Sequence, residues 1–225
     1  MKSCPAESFP GLNALPFLRA AFLQRCPGVD VITDRETALS RLSTLHRATA
    51  NQLGFRDQAF ACAEQVHGAL AVRVDSAPRE PVPGADALIT ASAQICLAIY
   101  VADCAAVYFA DKKGRAIGLA HSGRKGTELG IVPRTITALR DQFGIDPSDL
   151  RIQIAPCIRP PHYEVDIAAE ISRQAHSAGV DDVNDCGICT ASDPESYYSY
   201  RREKGRTGRL LALLALKSQA ELDPP

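Results

Sequence analysis

The stretch 102–126, ADCAAVYFADKKGRAIGLAHSGRKG, constrains this chain more than any other. Two largely apolar runs of equal length, 105–110 and 115–120, flank Asp111-Lys-Lys-Gly114. β-Branched and aromatic residues on either side of a Gly-containing turn predict a β-hairpin. With Ala110 opposite Arg115, Cys104 falls directly opposite His121. Facing residues share one face of the hairpin, with Cβ atoms about 4.5–5.5 Å apart. That distance suits two ligands on one metal ion, or a thiol and an imidazole sharing a proton. A slip of one residue would put the two on opposite faces, so the turn decides the pairing.

The flanks of the hairpin carry further chemistry. Asp103 precedes the cysteine. After His121 the chain runs Ser122-Gly-Arg-Lys-Gly126, a Gly-punctuated turn that opens toward a helical pattern. Free backbone N–H groups there, with the cations Arg124 and Lys125, predict an anion cradle. His67 lies between a strand and Gly68, where a bulge or turn can aim a side chain into a site. It is the third candidate ligand. A basic, Gly-broken loop at 199–209, with Arg201 and Arg202, offers a second place to hold an anionic group.

The chain has 225 residues, 46% of them hydrophobic, 23% charged, and a net charge of −1. This length suits one large domain or two small fused halves, and the near-neutral charge argues against a nucleic-acid-binding protein. No run approaches the ~18–20 apolar residues of a membrane span. The N-terminus has Pro and Glu where a signal peptide needs an apolar core. A cytoplasmic protein without membrane partners is therefore expected. Eight cysteines are present, but a chain this apolar does not need staples, so all are expected reduced.

Along the chain, residues 1–20 read as an irregular, Pro-rich segment, with a short amphipathic run at 15–20. Strands are expected at 21–25 and 29–33. A helix capped by Thr33 or Asp34 spans 35–53, with His46 in a solvated or core-edge role. Further strands are expected at 59–65, 69–74, 88–90, 94–101 and 150–155, and helices at 165–178 and within 127–143, where the helix either starts near Ile131 with Pro133 in its first turn or is kinked at Pro133. Cys186-Gly-Ile-Cys189 has no second pair at zinc-ribbon spacing and points only weakly to a metal. Periodicity does not decide between strand and helix for 210–216. The pattern predicts one α+β domain over 1–225, with mixed β-sheets inside and helices on the outer faces.

Taken together, Gln65-Val-His-Gly68, Thr90, Ala102-Asp-Cys104, His121-Ser-Gly-Arg-Lys-Gly126, Ala155-Pro-Cys-Ile158 with Tyr163-Glu-Val165, Cys189-Thr190, Ser199-Tyr-Arg-Arg202 and Thr207-Gly-Arg209 resemble the laccase-domain, or multicopper polyphenol oxidase, family. They run in the family's order over about residues 20–215. That family includes bacterial purine nucleoside phosphorylases, a peptidoglycan-editing factor and a mammalian purine-nucleoside enzyme. The resemblance implies a layered α/β/β/α fold and a metal site of His67, Cys104 and His121. It also implies zinc, with copper as the other metal, and a small-molecule substrate, a purine nucleoside with phosphate. Gln65, Asp103, Ser122, Arg124, Lys125, Arg201, Arg202 and, in a shortened N-terminal segment, Arg25 would then contact substrate. Ser122, Arg124 and Lys125 stand where the family usually has Ala, Trp and Arg, and Ala155 where it has Gly. These departures spare the ligands and fall on the substrate pocket.

Two imidazoles and one thiolate fill three tetrahedral positions and leave a fourth open, the arrangement of a catalytic site. Such a site could activate water against C6 of adenine, which is deamination. It could equally orient phosphate against ribose C1′, which is phosphorolysis. Three other functions use the same residues: a metal-free Cys–His amide hydrolase with Cys104 as nucleophile, a copper-dependent phenol oxidase, and a non-enzymatic zinc- or redox-responsive binding module.

Overall fold

The structure, a computed structural model, describes residues 3–55 and 58–222. The elements in chain order are β1 (Ala6–Glu7), α1 (Pro10–Asn13), β2 (Leu18–Leu23), α2 (Arg35–Gln52), β3 (Ala59–Cys62), β4 (Ala71–Arg73), β5 (Ala87–Thr90), β6 (Ile95–Val101), β7 (Ala105–Asp111), β8 (Ile117–Ser122), α3 (Arg124–Glu128), α4 (Ile131–Phe143), β9 (Leu150–Ile154), α5 (Ile167–Ser177), β10 (Asp182–Asp185), β11 (Leu210–Leu216) and α6 (Gln219–Leu222). They form two mixed sheets, ordered β1-β2-β11-β6-β3 and β10-β9-β7-β8-β5-β4. The α+β single-domain expectation holds.

Side-chain alternation explains the layering. Along β7, Ala106, Tyr108 and Ala110 face the first sheet, and Ala105, Val107 and Phe109 pack with α4 and α5. Tyr108 reaches across and donates to the Ala21 carbonyl at 2.7 Å. On the far side of the first sheet, α2 lays His46 against Tyr100 of β6 and Arg47 over Phe60 of β3. The order is thus α2, sheet, sheet, then α3 to α5. Asp34 caps α2 by accepting from the Thr37 N–H, as the sequence predicts. Of the two readings of 127–143, the start near Ile131 holds: α4 begins there with Pro133 in its first turn, after an N-cap at Gly130 with φ 77°, and 124–128 form the separate α3.

Four expectations are corrected. The segment expected to be irregular carries β1, α1 and the start of β2, and its Phe9 and Leu12 are buried; residues 1–2 lie outside the described residues. No strand forms at 29–33, where the chain turns and then enters α2. His46 is fully inside, 2% exposed, and burial pulls it down to about 4. Cys4 and Cys26 are joined by a disulfide, with their Cα atoms 4.4 Å apart. The antiparallel pairing of Ala6 with Leu23 brings these two chain ends together, and composition carries no record of that proximity.

The hairpin forms, but in another register. Ala110 pairs with Ile117 and Ala106 with His121. The turn is wider than expected because Asp111 accepts from both the backbone N–H and the Nε of Arg115, each at 2.8 Å. The slip is two residues, an even number, so Cys104 and His121 stay on one face.

Candidate metal centre and active site

The segment 102–104 carries the chain from β6 in the first sheet to β7 in the second. The open end between the sheets is therefore built at this crossing. Cys104 stands just before β7, and His121 is the penultimate residue of β8. His67 comes from the loop between β3 and β4. Their ligand atoms lie within 4.8 Å of one another, and the two imidazole rings meet edge to face at 4.7 Å.

Observed register makes Gly123 the residue that admits the cysteine. A Cβ at position 123 would stand 2.7 Å from Cys104 Sγ and 3.3 Å from His67 Cδ2. The sulfur leans into space that only a glycine leaves, and so comes diagonally toward His121 instead of facing it.

Asp86, at the start of β5, organises both histidines, and reading the sequence missed it. It is fully buried. Its carboxylate accepts from the N–H of His67 at 3.0 Å and of Gly68 at 2.6 Å, and lies 2.8 Å from His121 Nδ1. Its backbone carbonyl accepts from the His121 N–H at 2.7 Å. Pairing Nδ1 with a carboxylate places that nitrogen's proton there and turns Nε2 toward the cluster. The only trace of this role is an aspartate beside the apolar run 87–90, which reads equally well as a turn residue.

Three non-glycine residues at the site adopt left-handed backbone: Gln65 (φ 64°), His67 (φ 60°) and Asp103 (φ 83°). Each costs about 1–3 kcal/mol and persists only where neighbours hold it. Asp86 holds His67. Gln65 is clamped by its own side chain, which accepts from the Tyr100 N–H at 3.0 Å and donates to the Tyr100 carbonyl at 2.6 Å. Asp103 accepts from the Thr190 hydroxyl and the Arg201 N–H, each at 2.7 Å. The strained backbone is thus concentrated on the residues that flank the cluster.

The electrostatics couple the thiol to the imidazoles. Burial pushes Cys104 up, but hydrogen bonds from His121 and His67 outweigh it and bring it down to about 6. Burial pulls His121 down, while Asp86 and Cys104 raise it to about 9. Both shifts favour the charged forms. Two imidazoles, a low-pKa thiol, an aspartate that orients the His121 ring and holds the His67 backbone, and space kept clear by Gly123 make a donor set that fits a metal ion.

Beside the cluster is a cleft of about 770 Å³, within the range of small-molecule sites. Of the expected substrate residues, Gln65, Asp103, Arg124 and Arg201 line it. Arg124 pairs with Glu128 and Glu164, and Arg201 pairs with Glu164 and lies over the Tyr163 ring. Arg25, Ser122, Lys125 and Arg202 are not among the lining residues. Arg25 is drawn away by Glu203 at 2.8 Å and by the Tyr198 ring. Ser122 is buried against the Thr127 hydroxyl. Arg202 turns to the Ala191 carbonyl. The expected anion cradle is the five-residue α3.

Two cations that the motifs did not single out as a pair do line the cleft, Arg35 at the first turn of α2 and Arg209 just before β11. Arg209 Nη1 donates to the carbonyls of Thr207 and Gly208. Burial and the nearby Arg35 charge both push Arg209 down. Among the described residues neither forms a salt bridge. Their sequence separation hides the pair; only the packing of α2 against the 199–209 loop brings them to one cleft.

Known proteins resemble this chain in sequence and in fold. The family model for multi-copper polyphenol oxidoreductase laccase matches residues 32–170 and 162–217. A protein of Deinococcus radiodurans named purine nucleoside phosphorylase is 32% identical, over 90% of this chain and 93% of its own. Purine nucleoside phosphorylase YlmD of Geobacillus stearothermophilus is 28% identical, over 85% of this chain and 83% of its own. The crystal structure of YlmD from the latter organism superposes with a TM-score of 0.85 at 24% identity, covering 97% of this chain and all of that one, which shows a shared fold. The chain belongs to the multi-copper polyphenol oxidoreductase laccase family.

Proposed function

We propose that this protein is a zinc-dependent purine nucleoside phosphorylase that cleaves adenosine or inosine with phosphate. The observation that carries the reading is the placement of His67, Cys104 and His121 on the wall of a cleft that also holds Arg35 and Arg209, neither in a salt bridge among the described residues. The names of the relatives at about 30% identity point the same way.

In the reaction the bond from ribose C1′ to the purine nitrogen breaks, a bond from C1′ to a phosphate oxygen forms, and the departing base takes up a proton. Arg35 and Arg209 bind the phosphate, neither being held in a salt bridge among the described residues. Tyr163, Ile158 and Ile167 give the base an apolar wall. Glu164, held between Arg124 and Arg201, accepts hydrogen bonds from ribose hydroxyls. Bound by His67, Cys104 and His121, zinc supplies a Lewis-acidic centre for an anionic oxygen. Asp86 fixes the His121 ring and the His67 backbone, and Gly123 leaves room for the sulfur.

The test is incubation of zinc-loaded protein with adenosine and with inosine, with and without phosphate, followed by separation of the products. Adenine and hypoxanthine released only with phosphate support phosphorolysis. Inosine formed from adenosine places deamination on the same site. Neither product, with zinc bound, overturns the nucleoside reading. Arg35→Ala and Arg209→Leu should raise the KM for phosphate more than that for nucleoside.

A further inference from the structure

His46 is a polar residue in a place that asks for an apolar one. It projects from α2 in the buried row with Leu42, Thr49 and Ala50. It is 2% exposed, and both of its ring nitrogens are buried without a hydrogen-bond partner among the described residues. An unsatisfied buried polar group is destabilising, and a buried imidazole that meets no partner among the described residues calls for an explanation. A leucine at 46 would fill the space without that cost.

The explanation lies beside it. A ring nitrogen of His46 and the sulfurs of Cys4 and Cys26 lie within 4.8 Å of one another, and all three residues are buried. The cluster is built, not incidental. Thr49, one turn beyond His46 on the same helix, accepts from the Cys4 N–H at 2.9 Å. The Cys26 N–H donates to the Tyr198 hydroxyl at 3.1 Å. Helix α2 thus carries the histidine and anchors the first cysteine, and the 197–198 segment anchors the second.

We propose that Cys4, Cys26 and His46 form a second metal site, distinct from the cleft, which takes a zinc-class dication when the Cys4–Cys26 disulfide is reduced. Two thiolates and one neutral imidazole are soft and borderline donors, the set that suits zinc. Their charges cancel that of a dication, which matters in an apolar pocket: the neighbouring Arg25 is already paired with Glu203. A sulfur-to-zinc distance of about 2.3 Å in a tetrahedral site sets the two sulfurs ~3.8 Å apart, so the disulfide and the metal exclude each other. A dithiol or phosphine reductant supplies two electrons and the two protons come from the dithiol or from water; the S–S bond breaks to two thiols. Binding then displaces both thiol protons to solvent and leaves two metal–sulfur bonds. Redox state therefore gates the site. The His46 ring is 5.9 Å from that of Tyr100, which lines the cleft, so the site stands directly behind the cleft wall.

The experiment counts zinc per chain in dialysed full-length protein, before and after a phosphine reductant. Wild type and Cys104→Ala, which removes a ligand of the first site, are run together. Reduction should add one zinc per chain in both. His46→Leu and Cys26→Ser, each made in both backgrounds, should lose that increment, with circular dichroism reporting that the chains fold. His46→Leu should leave the oxidised protein at least as heat-stable as wild type, since it removes two unsatisfied polar atoms. In reduced Cys104→Ala, cobalt should give a thiolate charge-transfer band, absent from the Cys26→Ser form. Equal zinc before and after reduction, or an increment that survives His46→Leu, would overturn the proposal. The increment does not depend on the activity of the cleft, so its failure and failure of the phosphorylase reading are separate results.

Discussion

Replacing Gly123 with alanine isolates the geometry of the Cys104 sulfur. The backbone at 123 is extended, with φ −87° and ψ 179°, so alanine adopts it without conformational strain. Only the added methyl matters, and it arrives 2.7 Å from Cys104 Sγ. Ordinary contacts between non-bonded heavy atoms are about 3.5–4.0 Å, so the sulfur must retreat by about 1 Å. Metal ligands tolerate about 0.2 Å, and a misplacement of about 1 Å at a reacting centre costs on the order of 10²-fold in rate. Gly123→Ala should therefore lose zinc affinity and about 10²-fold in turnover. Overpacking should lower stability by only about 1–3 kcal/mol, leaving a folded protein. Zinc competition with a chromogenic chelator, steady-state base release and thermal unfolding read the three quantities. Gly11→Ala is the control: the nearest atoms to its added methyl are 3.9 Å away, and it should leave zinc affinity and turnover unchanged without lowering stability. Full zinc affinity and turnover in Gly123→Ala would refute the claim that the sulfur needs this space.

Asp86→Asn should weaken zinc binding about 10–100-fold while the chain still folds, as measured by the same competition assay. In chelator-stripped protein, alkylation of Cys104 should rise as pH climbs through about 6, well below the ~8.5 of an ordinary thiol. Cys62, which burial raises to about 11, should stay unmodified at neutral pH by peptide mass spectrometry. At Asp111, burial pushes the carboxyl up, but its bonds from Arg115 outweigh this and hold it lower than usual. A lowered folded-state value contributes stability above the unfolded value of about 4 that is lost as pH falls through the folded one. Asp111→Asn should thus cost about 1.5–3 kcal/mol at neutral pH, toward the lower end because Arg115 is partly exposed, and the gap in Tm should close in acid.

The three clustered side chains were legible because their neighbours are local. Cys104 and His121 sit at the mouth of one hairpin, and even the wrong register kept them on one face, since the error was an even number of residues. What fixed the true register, the double hold of Asp111 on Arg115, is a side-chain contact with no signature in hydrophobic pattern. Strand β11 was undecidable because it is buried on both faces. All seven residues, Leu210–Leu216, are buried, so the alternation that marks a strand is absent. Asp86 and the pairing of Arg35 with Arg209 were hidden for another reason. They join segments far apart in the chain, and only the stacked sheets and α2 bring them to the cleft. The Cys4–Cys26 bond is likewise a product of strand pairing, and an argument from composition pointed the other way.

The central claim is that this cleft transfers the ribosyl group from purine to phosphate with the help of Cys104. The most direct measurement supplies isotopically labelled phosphate and inosine to wild type and to Cys104→Ala and follows the label. The account predicts labelled ribose 1-phosphate in step with hypoxanthine in wild type, and neither in the variant. Hypoxanthine released without label, or label transfer undiminished in Cys104→Ala, would contradict it.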